Sequence, residues 1–161
     1  MKLFILLVVF ISSLFSQSYN FTETRYSDAF GRSMHLQGII YFEKNSLKIN
    51  YKNDKREILY KDSILGITQD GKALSIHSNQ QQSMRIFFEV LLMIYNDDQD
   101  ALAERFTLTQ EENKTLLNPI GDLSQYIEKV TLVKQQEELK EVALFLKNAD
   151  HITISIENEI R

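Results

Sequence analysis

The sequence predicts a mainly β domain with a helical insert (α+β), folded as an incomplete antiparallel β-barrel whose concave face is covered or plugged by helices. Apolar and polar residues alternate along much of the 161-residue chain, which is typical of strands with one buried face. An apolar run of helical length interrupts these strands near the middle of the chain. Strands do not alternate with helices, so a parallel sheet is not expected. The prediction is one strongly curved sheet.

Composition indicates one globular domain. The chain is 43% hydrophobic and 25% charged, with one proline and five glycines, so no flexible linker divides it. Its formal net charge is −4, and no basic cluster is interleaved with aromatic residues. Nucleic acid is therefore excluded as a partner.

The N-terminus predicts export. Lys2 precedes an apolar run at 3–11, and small residues follow at 12–18, which is the order of parts in a secretory signal. We expect a signal peptide over residues 1–18, cleaved after Ser16 or Ser18, and a single domain over 19–161; an uncleaved anchor is the alternative. The chain has no cysteine, so it forms no disulfide. A soluble protein of the periplasm is the prediction.

Period-two alternation predicts six strands before the apolar run and five after it. Those before it lie at 19–26, 34–44, 47–51, 57–61, 64–68 and 73–77. An Asp70-Gly71 pair predicts a tight hairpin between the last two. Those after it lie at 106–110, 115–118, 129–134, 139–147 and 151–157. A helical turn at 122–127 is also predicted, because Asp122 and Gln125 resemble a capping box.

The apolar run at 84–95, MRIFFEVLLMIY, has only Arg85 and Glu89 as polar residues. One face of the predicted helix carries Met84, Phe87, Phe88, Leu91, Leu92 and Tyr95. The other carries Ile86, Val90, Met93 and Ile94. A helix that is apolar nearly all round needs partners on two sides, and this one is shorter than the roughly 20 residues that cross a bilayer. It is either a buried core helix or a helix that shares an apolar face with a hydrophobic ligand.

Polar residues at 78–83 predict a break before this helix, with Ser83 as a possible N-cap. A second helix is predicted at 99–105. Two helices thus interrupt the sheet in mid-chain.

No motif indicates catalysis. His35, His77 and His151 are scattered without metal-ligand spacing. No glycine pattern frames a nucleophilic serine, and no glycine-rich phosphate loop is present. We therefore expect no enzyme activity, no catalytic residue, no metal and no cofactor.

Apolar side chains on the predicted concave side are the candidate ligand-binding residues, because such pockets are lined mainly by aliphatic and aromatic groups. They are Phe21, Ile40, Phe42, Leu47, Ile49, Tyr51, Ile58, Tyr60, Met84, Phe87, Phe88, Leu91 and Leu92. Taken singly, each also fits a plain core position.

Several segments in the same order resemble a known family. They are FTETRY at 21–26, GIIYFEK at 38–44, LKINY at 47–51, the Asp-Gly hairpin, the helical insert and LLNP at 116–119. Over about residues 21–158 the chain resembles the periplasmic outer-membrane lipoprotein carriers (LolA), particularly their divergent LolA-like branch.

The resemblance implies a monomeric chaperone that shields the acyl chains of a lipoprotein under a helical lid. It also implies an inner-membrane transporter as donor and an outer-membrane receptor as acceptor. A non-enzymatic protein-interaction module, binding through sheet edges or the convex face, is the alternative function.

Two departures from the family pattern matter. Lys44-Asn45 stands where the family has an arginine and a proline, and that arginine holds the lid closed. Lysine lacks the planar fork of arginine, so Lys44 is only a candidate lid latch. The family's helix before the first strand is missing as well. The ligand can therefore be another acylated molecule or a glycolipid.

Overall fold

The computed structural model describes residues 17–75 and 78–160, and the side chains of residues 78–80 are not described. Residues 1–16 of the predicted signal segment lie outside the described residues. His77 and the end of the predicted sixth strand also lie outside them.

Within these ranges the chain forms eleven strands, two α-helices and one 3-10 helix. The strands before the helices are β1 (Gln17–Ser27), β2 (Arg32–Glu43), β3 (Ser46–Tyr51), β4 (Arg56–Lys61), β5 (Ile64–Gln69) and β6 (Lys72–Ala73). The helices are α1 (Ser78–Tyr95) and α2 (Gln99–Arg105). They are followed by β7 (Phe106–Glu111), β8 (Lys114–Pro119), the 3-10 helix (Gly121–Gln125), β9 (Ile127–Gln135), β10 (Glu138–Leu146) and β11 (His151–Glu159).

All the strands belong to one antiparallel sheet in the order β6-β5-β4-β3-β2-β1-β11-β10-β9-β8-β7. The order ends at β6 and β7, so the sheet is not closed. Helix α1 contacts β3 and β5 on one side of the sheet's centre and β10 on the other. The sheet therefore curves around α1, and the predicted fold class is confirmed.

The alternation along each strand decides which side chains enter the core. In β2, Leu36, Ile40 and Phe42 are buried, whereas His35 and Gln37 are exposed, as the sequence predicts. Each fully buried side chain of this size contributes about 1.5–3 kcal/mol. The core thus lies between the concave face of the sheet and α1.

The predicted Asp-Gly hairpin is present between β5 and β6. Asp70 and Gly71 have φ angles of 50° and 75°, the left-handed pair that a tight type I′ turn requires. Strand β6 itself is shorter than predicted, because it ends at Ala73 and Leu74 and Ser75 are not in a strand.

Two predictions about helix ends are wrong. Helix α1 begins at Ser78 rather than at residue 84, so Ser83 lies inside the helix and the polar segment is its first turns. Glutamine is a good helix former, and Gln81 and Gln82 are exposed. The capping box at Asp122 does not form either, because the 3-10 helix has no side-chain cap.

Gly38 makes room for an aromatic ring on the concave face. It lies opposite Phe21 on β1 and Tyr51 on β3. A Cβ at this position would lie 2.8 Å from Phe21 Cε1 and 2.3 Å from the carbonyl oxygen of Asn50. The ring of Phe21 meets that of Tyr51 edge-on at 5.8 Å. A side chain at residue 38 would displace this pair.

We expect Gly38→Ala to lower the free energy of unfolding by about 2 kcal/mol, within the range seen for overpacked cores. Gly66→Ala is the matched control, because its Cβ would meet only the carbonyl oxygen of Leu59 at 3.9 Å. It should change the free energy by no more than about 0.5 kcal/mol. Urea denaturation measures both, and equal effects would contradict the close approach at Gly38.

Candidate functional site

The predicted ligand-binding residues meet in one place, but the space between them is filled. Twelve of them belong to the buried core cluster, and Met84 packs against it. The twelve are Phe21, Ile40, Phe42, Leu47, Ile49, Tyr51, Ile58, Tyr60, Phe87, Phe88, Leu91 and Leu92. Their contact with a ligand stays a prediction, since in this structure they pack together in the core.

Both apolar faces of α1 are buried by the protein along its second half. Phe88 and Leu91 on one face and Val90 and Ile94 on the other are all at most 5% exposed. The first half differs, because Gln81, Gln82 and Arg85 are exposed. The helix is therefore enclosed at its C-terminal end and open to solvent at its N-terminal end.

The C-terminal end of α1 is anchored to the sheet by Tyr95. Its ring stacks on Phe42 with centroids 4.1 Å apart and planes 7° from parallel. Its hydroxyl donates to Gln17 Oε1 on β1. Burial, with Tyr19 and Glu159 nearby, raises the pKa of Tyr95 to about 12.

Lys44 meets the end of the helix through its main chain. Asn96 Nδ2, just after α1, donates to the Lys44 carbonyl oxygen at 2.8 Å. Within the described part of the chain, the Lys44 side chain has no hydrogen bond or ion pair. Its role as a lid latch stays a prediction. Between the two helices, Arg105 Nη2 lies 2.8 Å from Glu89 Oε1.

At the N-terminal end of α1 the concave face opens into a cleft of about 630 Å³, within the range of roughly 300–1,000 Å³ common for ligand sites. We call it the arginine cleft. It is lined by Arg25, Tyr26, Ser27, Phe30, Arg32, Ser33, Met34, Arg56, Ile58, Ile67, Leu74, Ser83, Met84, Leu146, Asn148, Asp150 and Ile152. Of the predicted ligand-binding residues, it includes Ile58 and Met84.

A buried charged network closes one wall of this cleft. Glu23, only 1% exposed, accepts hydrogen bonds from Arg25 Nε and, at 2.5 Å, from the hydroxyl of Tyr51. Arg25 Nη2 also donates to the Tyr51 hydroxyl at 3.1 Å. Burial and the neighbouring Glu23 carboxylate raise the pKa of Tyr51. The paired charges keep a carboxylate buried where an isolated one would be strongly unfavourable.

Arg56 completes the same wall. Its guanidinium lies over the ring of Tyr51, 4.5 Å from the centroid, and its Nη2 lies 3.2 Å from Asp54 Oδ2. Its Nε is buried and has no hydrogen-bond partner among the described residues. Few buried donors in native proteins are left unpaired, so this nitrogen needs an explanation.

The sequence prediction missed these charged residues, although a signal was present. In β1, Glu23 and Arg25 share the face of Phe21, and in β4 Arg56 shares the face of Ile58. Period two therefore puts them on the concave side. What it does not show is that β1, β3 and β4 bring them together.

A second cleft, of about 670 Å³, lies at the C-terminal end of α1. Phe42 and Tyr95 contribute to it, but its charged residues are mostly acidic. They are Asp97, Lys134, Glu137, Glu138, Lys140, Glu157 and Glu159. We call it the acidic cleft.

The described histidines lie on strands without metal-binding partners. Thr24 Oγ1 is 3.0 Å from Nδ1 of His35, and His151 stacks with the rings of Tyr26 and Phe145. Across residues 17–75 and 78–160, no group of three or more His, Cys, Asp or Glu side chains is placed to hold a metal ion. In that same part of the chain, no helix has both the length and the apolar character needed to cross a membrane.

Neither a protein-family model nor a curated protein matches the sequence. One solved structure that matches is the crystal structure of the LolA superfamily protein NE2245 from Nitrosomonas europaea. The match covers 91% of this chain and 86% of that chain, with a TM-score of 0.41 and 8% sequence identity. The resemblance to LolA-like carriers stays a prediction.

The raised pKa of Tyr51 predicts alkaline destabilisation. A phenol whose pKa is raised by folding keeps its proton at pH values at which the unfolded chain has lost it. Its contribution to the free energy of unfolding is therefore complete below pH 10, the ordinary pKa of tyrosine, and is lost as the pH rises through the pKa of the folded protein. We expect the free energy of unfolding to fall by about 1.4 kcal/mol per pH unit for this group above pH 10. Tyr95, with its pKa near 12, adds to the fall.

Denaturation measured at a series of pH values tests this expectation. Tyr51→Phe should flatten the alkaline slope and also lower stability near neutral pH by about 1–3 kcal/mol, because Glu23 loses a donor. Tyr41→Phe, on the opposite face of the sheet, is the matched control. An unchanged slope in Tyr51→Phe would contradict the assignment.

Proposed function

We propose that this protein is a non-enzymatic carrier that shields acyl chains between its concave sheet and helix α1. The observation that carries the proposal is the position of α1 on the concave face. Its C-terminal end is held by Tyr95 and Asn96, while Met84 near its N-terminal end borders the apolar side of the arginine cleft. An acyl chain entering there would lie against Ile58, Ile67 and Met84.

The energetics favour reversible loading. Each methylene buried from water contributes about 0.8 kcal/mol, so burial of one long chain offsets part of the free energy that the helix loses when it moves. Methionine is flexible and adapts to different neighbours, which suits Met84 to a wall that repacks. The anchored end of α1 would keep the helix attached while the other end moves.

The cellular setting is part of the same proposal. The signal-like N-terminus supports export to the periplasm as a soluble protein. The resemblance to LolA-like proteins supports a lipoprotein or another acylated lipid as cargo, a transporter in the inner membrane as donor and a receptor in the outer membrane as acceptor. In this scheme the protein acts as a monomer and contributes to outer-membrane biogenesis.

One observation favours a second function, binding of a protein partner through a sheet edge. Strand β7 forms one edge of the sheet, and most of its residues are exposed, including Leu108 at 44%. Unpaired edge strands can accept another strand. This alternative predicts a core that takes up no lipid and a partner recovered with the folded protein.

Binding of a neutral acyl probe to the delipidated protein tests the carrier proposal. We expect a fluorescent acyl amide to bind, and Met84→Gln to weaken binding about fivefold through the loss of roughly 1 kcal/mol of apolar contact. Ile64→Gln removes an apolar side chain that is 72% exposed and lies outside the cleft, so it should bind as the wild type does. Absence of binding by the folded protein would refute the carrier function.

The first residues of β1 support one of the two signal cleavage sites. Gln17 accepts hydrogen bonds from Tyr19, at 3.1 Å, and from Tyr95, and the Ser18 carbonyl accepts from the Ile160 amide at 2.8 Å. Cleavage after Ser16 retains these contacts, whereas cleavage after Ser18 removes them.

We expect the mature protein to begin at Gln17, which mass spectrometry of exported material will show. A chain of residues 17–161 should be more stable than one of 19–161 by about 1 kcal/mol or more, because the shorter chain loses these hydrogen bonds. A mature N-terminus at Tyr19 with equal stability of the two chains would contradict the role of Gln17.

A further inference from the structure

We propose that the arginine cleft binds an anionic amphiphile, with its acyl chain against the apolar floor and its carboxylate or phosphate head group on Arg32 and Arg56. This inference rests on the proposed carrier function and adds to it the charge of the head group. It follows from how polarity and charge change with depth in the cleft.

The floor of the cleft is apolar, and its arginines lie nearer the mouth, beside the exposed apolar side chains of Phe30, Met34 and Leu74. Ile58 is fully buried and Ile67 is 7% exposed. The side chains of Arg25 and Arg56 are 30% and 22% exposed, so they lie at intermediate depth. Arg32 is exposed and lies beside Phe30, with its guanidinium 5.5 Å from the ring centroid. An amphiphile would enter with its chain first and leave its head group at the arginines.

The three arginines differ in how far the protein satisfies them. Arg25 is paired with Glu23 and Tyr51. Arg56 is paired with Asp54 through Nη2, but its buried Nε has no partner among the described residues. The Arg32 side chain has no hydrogen bond or ion pair within that part of the chain. Unused donors thus remain on the exposed Arg32 guanidinium and on the part of the Arg56 guanidinium that Asp54 does not engage.

Asp150, the acidic side chain in the lining of the cleft, is not paired with any of the three arginines. Asp150 accepts hydrogen bonds from the main-chain amide of Asp28, at 2.8 Å, and from Asn148 Nδ2, at 2.9 Å. These bonds hold two neighbouring turns together. Its carboxylate is thus committed to structure rather than to the arginines.

Guanidinium groups match carboxylates and phosphates because their N–H groups form parallel, charge-assisted hydrogen bonds to two oxygens. At Arg56, whose side chain is 22% exposed, neighbouring apolar side chains strengthen such bonds by excluding part of the water. A neutral or cationic head group would leave the donors of Arg32 and Arg56 unused.

The charge of the acidic cleft explains why an anionic head group would bind at the arginine cleft and not there. It has five carboxylates, on Asp97, Glu137, Glu138, Glu157 and Glu159, against two lysines, Lys134 and Lys140. The whole chain has a formal net charge of −4. An anion would be repelled at the acidic cleft, so the arginine cleft is the favourable site on this concave face.

Competition between head groups tests the inference on the delipidated full domain. Hexadecanoate, hexadecyl phosphate and the neutral glycerol ester of hexadecanoic acid would displace a neutral fluorescent acyl probe. We expect at least one of the two anionic ligands to compete about tenfold better than the neutral ester, which is the expected effect of one charge-assisted hydrogen bond. The two anions distinguish a carboxylate site from a phosphate site.

Charge-removing variants assign the preference to the cleft. Arg32→Gln and Arg56→Gln should each bring the ratio of anionic to neutral affinity down towards one. Arg56 packs on Tyr51, so its variant needs a folding check; Arg32 is exposed, and its variant avoids that complication. Lys134→Gln, at the acidic cleft, is the matched control and should keep the wild-type ratio.

The outcomes separate the two proposals. Equal affinity for anionic and neutral ligands, or an anionic preference that survives both arginine substitutions, overturns this inference and leaves the carrier function standing. Failure of the neutral probe to bind the folded protein overturns the carrier function and this inference with it.

Discussion

The structure depends on one constraint, that both apolar faces of α1 must be covered. A flat sheet covers only one face of a helix, so the sheet has to curve until β3 and β5 lie on one side of α1 and β10 on the other. The helices are inserted between β6 and β7, the two edges of the sheet. The chain can therefore cross the open side of the curve without breaking any strand pair.

The boundary between permanent core and cleft coincides with a change from apolar to charged residues. Towards the C-terminal end of α1, side chains such as Leu47, Leu91 and Ile40 are fully buried. Towards its N-terminal end, Glu23, Arg25 and Tyr51 replace them on the same concave surface. A buried ion pair is satisfied only by well-placed partners, and Arg25 and Tyr51 supply them to Glu23 where the helix no longer fills the space. The wall of the cleft is therefore built by side chains of the sheet itself.

Much of the fold could be predicted from the sequence, because period two assigns each strand its inner face and Asp70-Gly71 marks a tight turn. The start of α1 could not, because the polar residues before Met84 are compatible with either a loop or an exposed helix. The charged wall also escaped prediction. Glu23 and Arg25 are close in sequence, but Tyr51 reaches them from β3 across β2, and Arg56 joins them from β4 through Tyr51. Whether the concave space is filled depends on the depth at which α1 packs, which no alternation of residues determines.

The pairing of β1 with β11 at the centre of the sheet has a consequence for folding. Thr22 donates to Glu157 across 135 positions of the sequence. Such long-range pairing is slow, because a long loop must close before any contact compensates for the lost entropy. Because the chain is synthesised from its N-terminus, the hairpins of β2 to β5 can form early. Strand β1 lacks its second neighbour until β11 has been synthesised. Because β11 is the last strand of the sheet in sequence, the centre of the sheet can be completed only after nearly the whole polypeptide has been made.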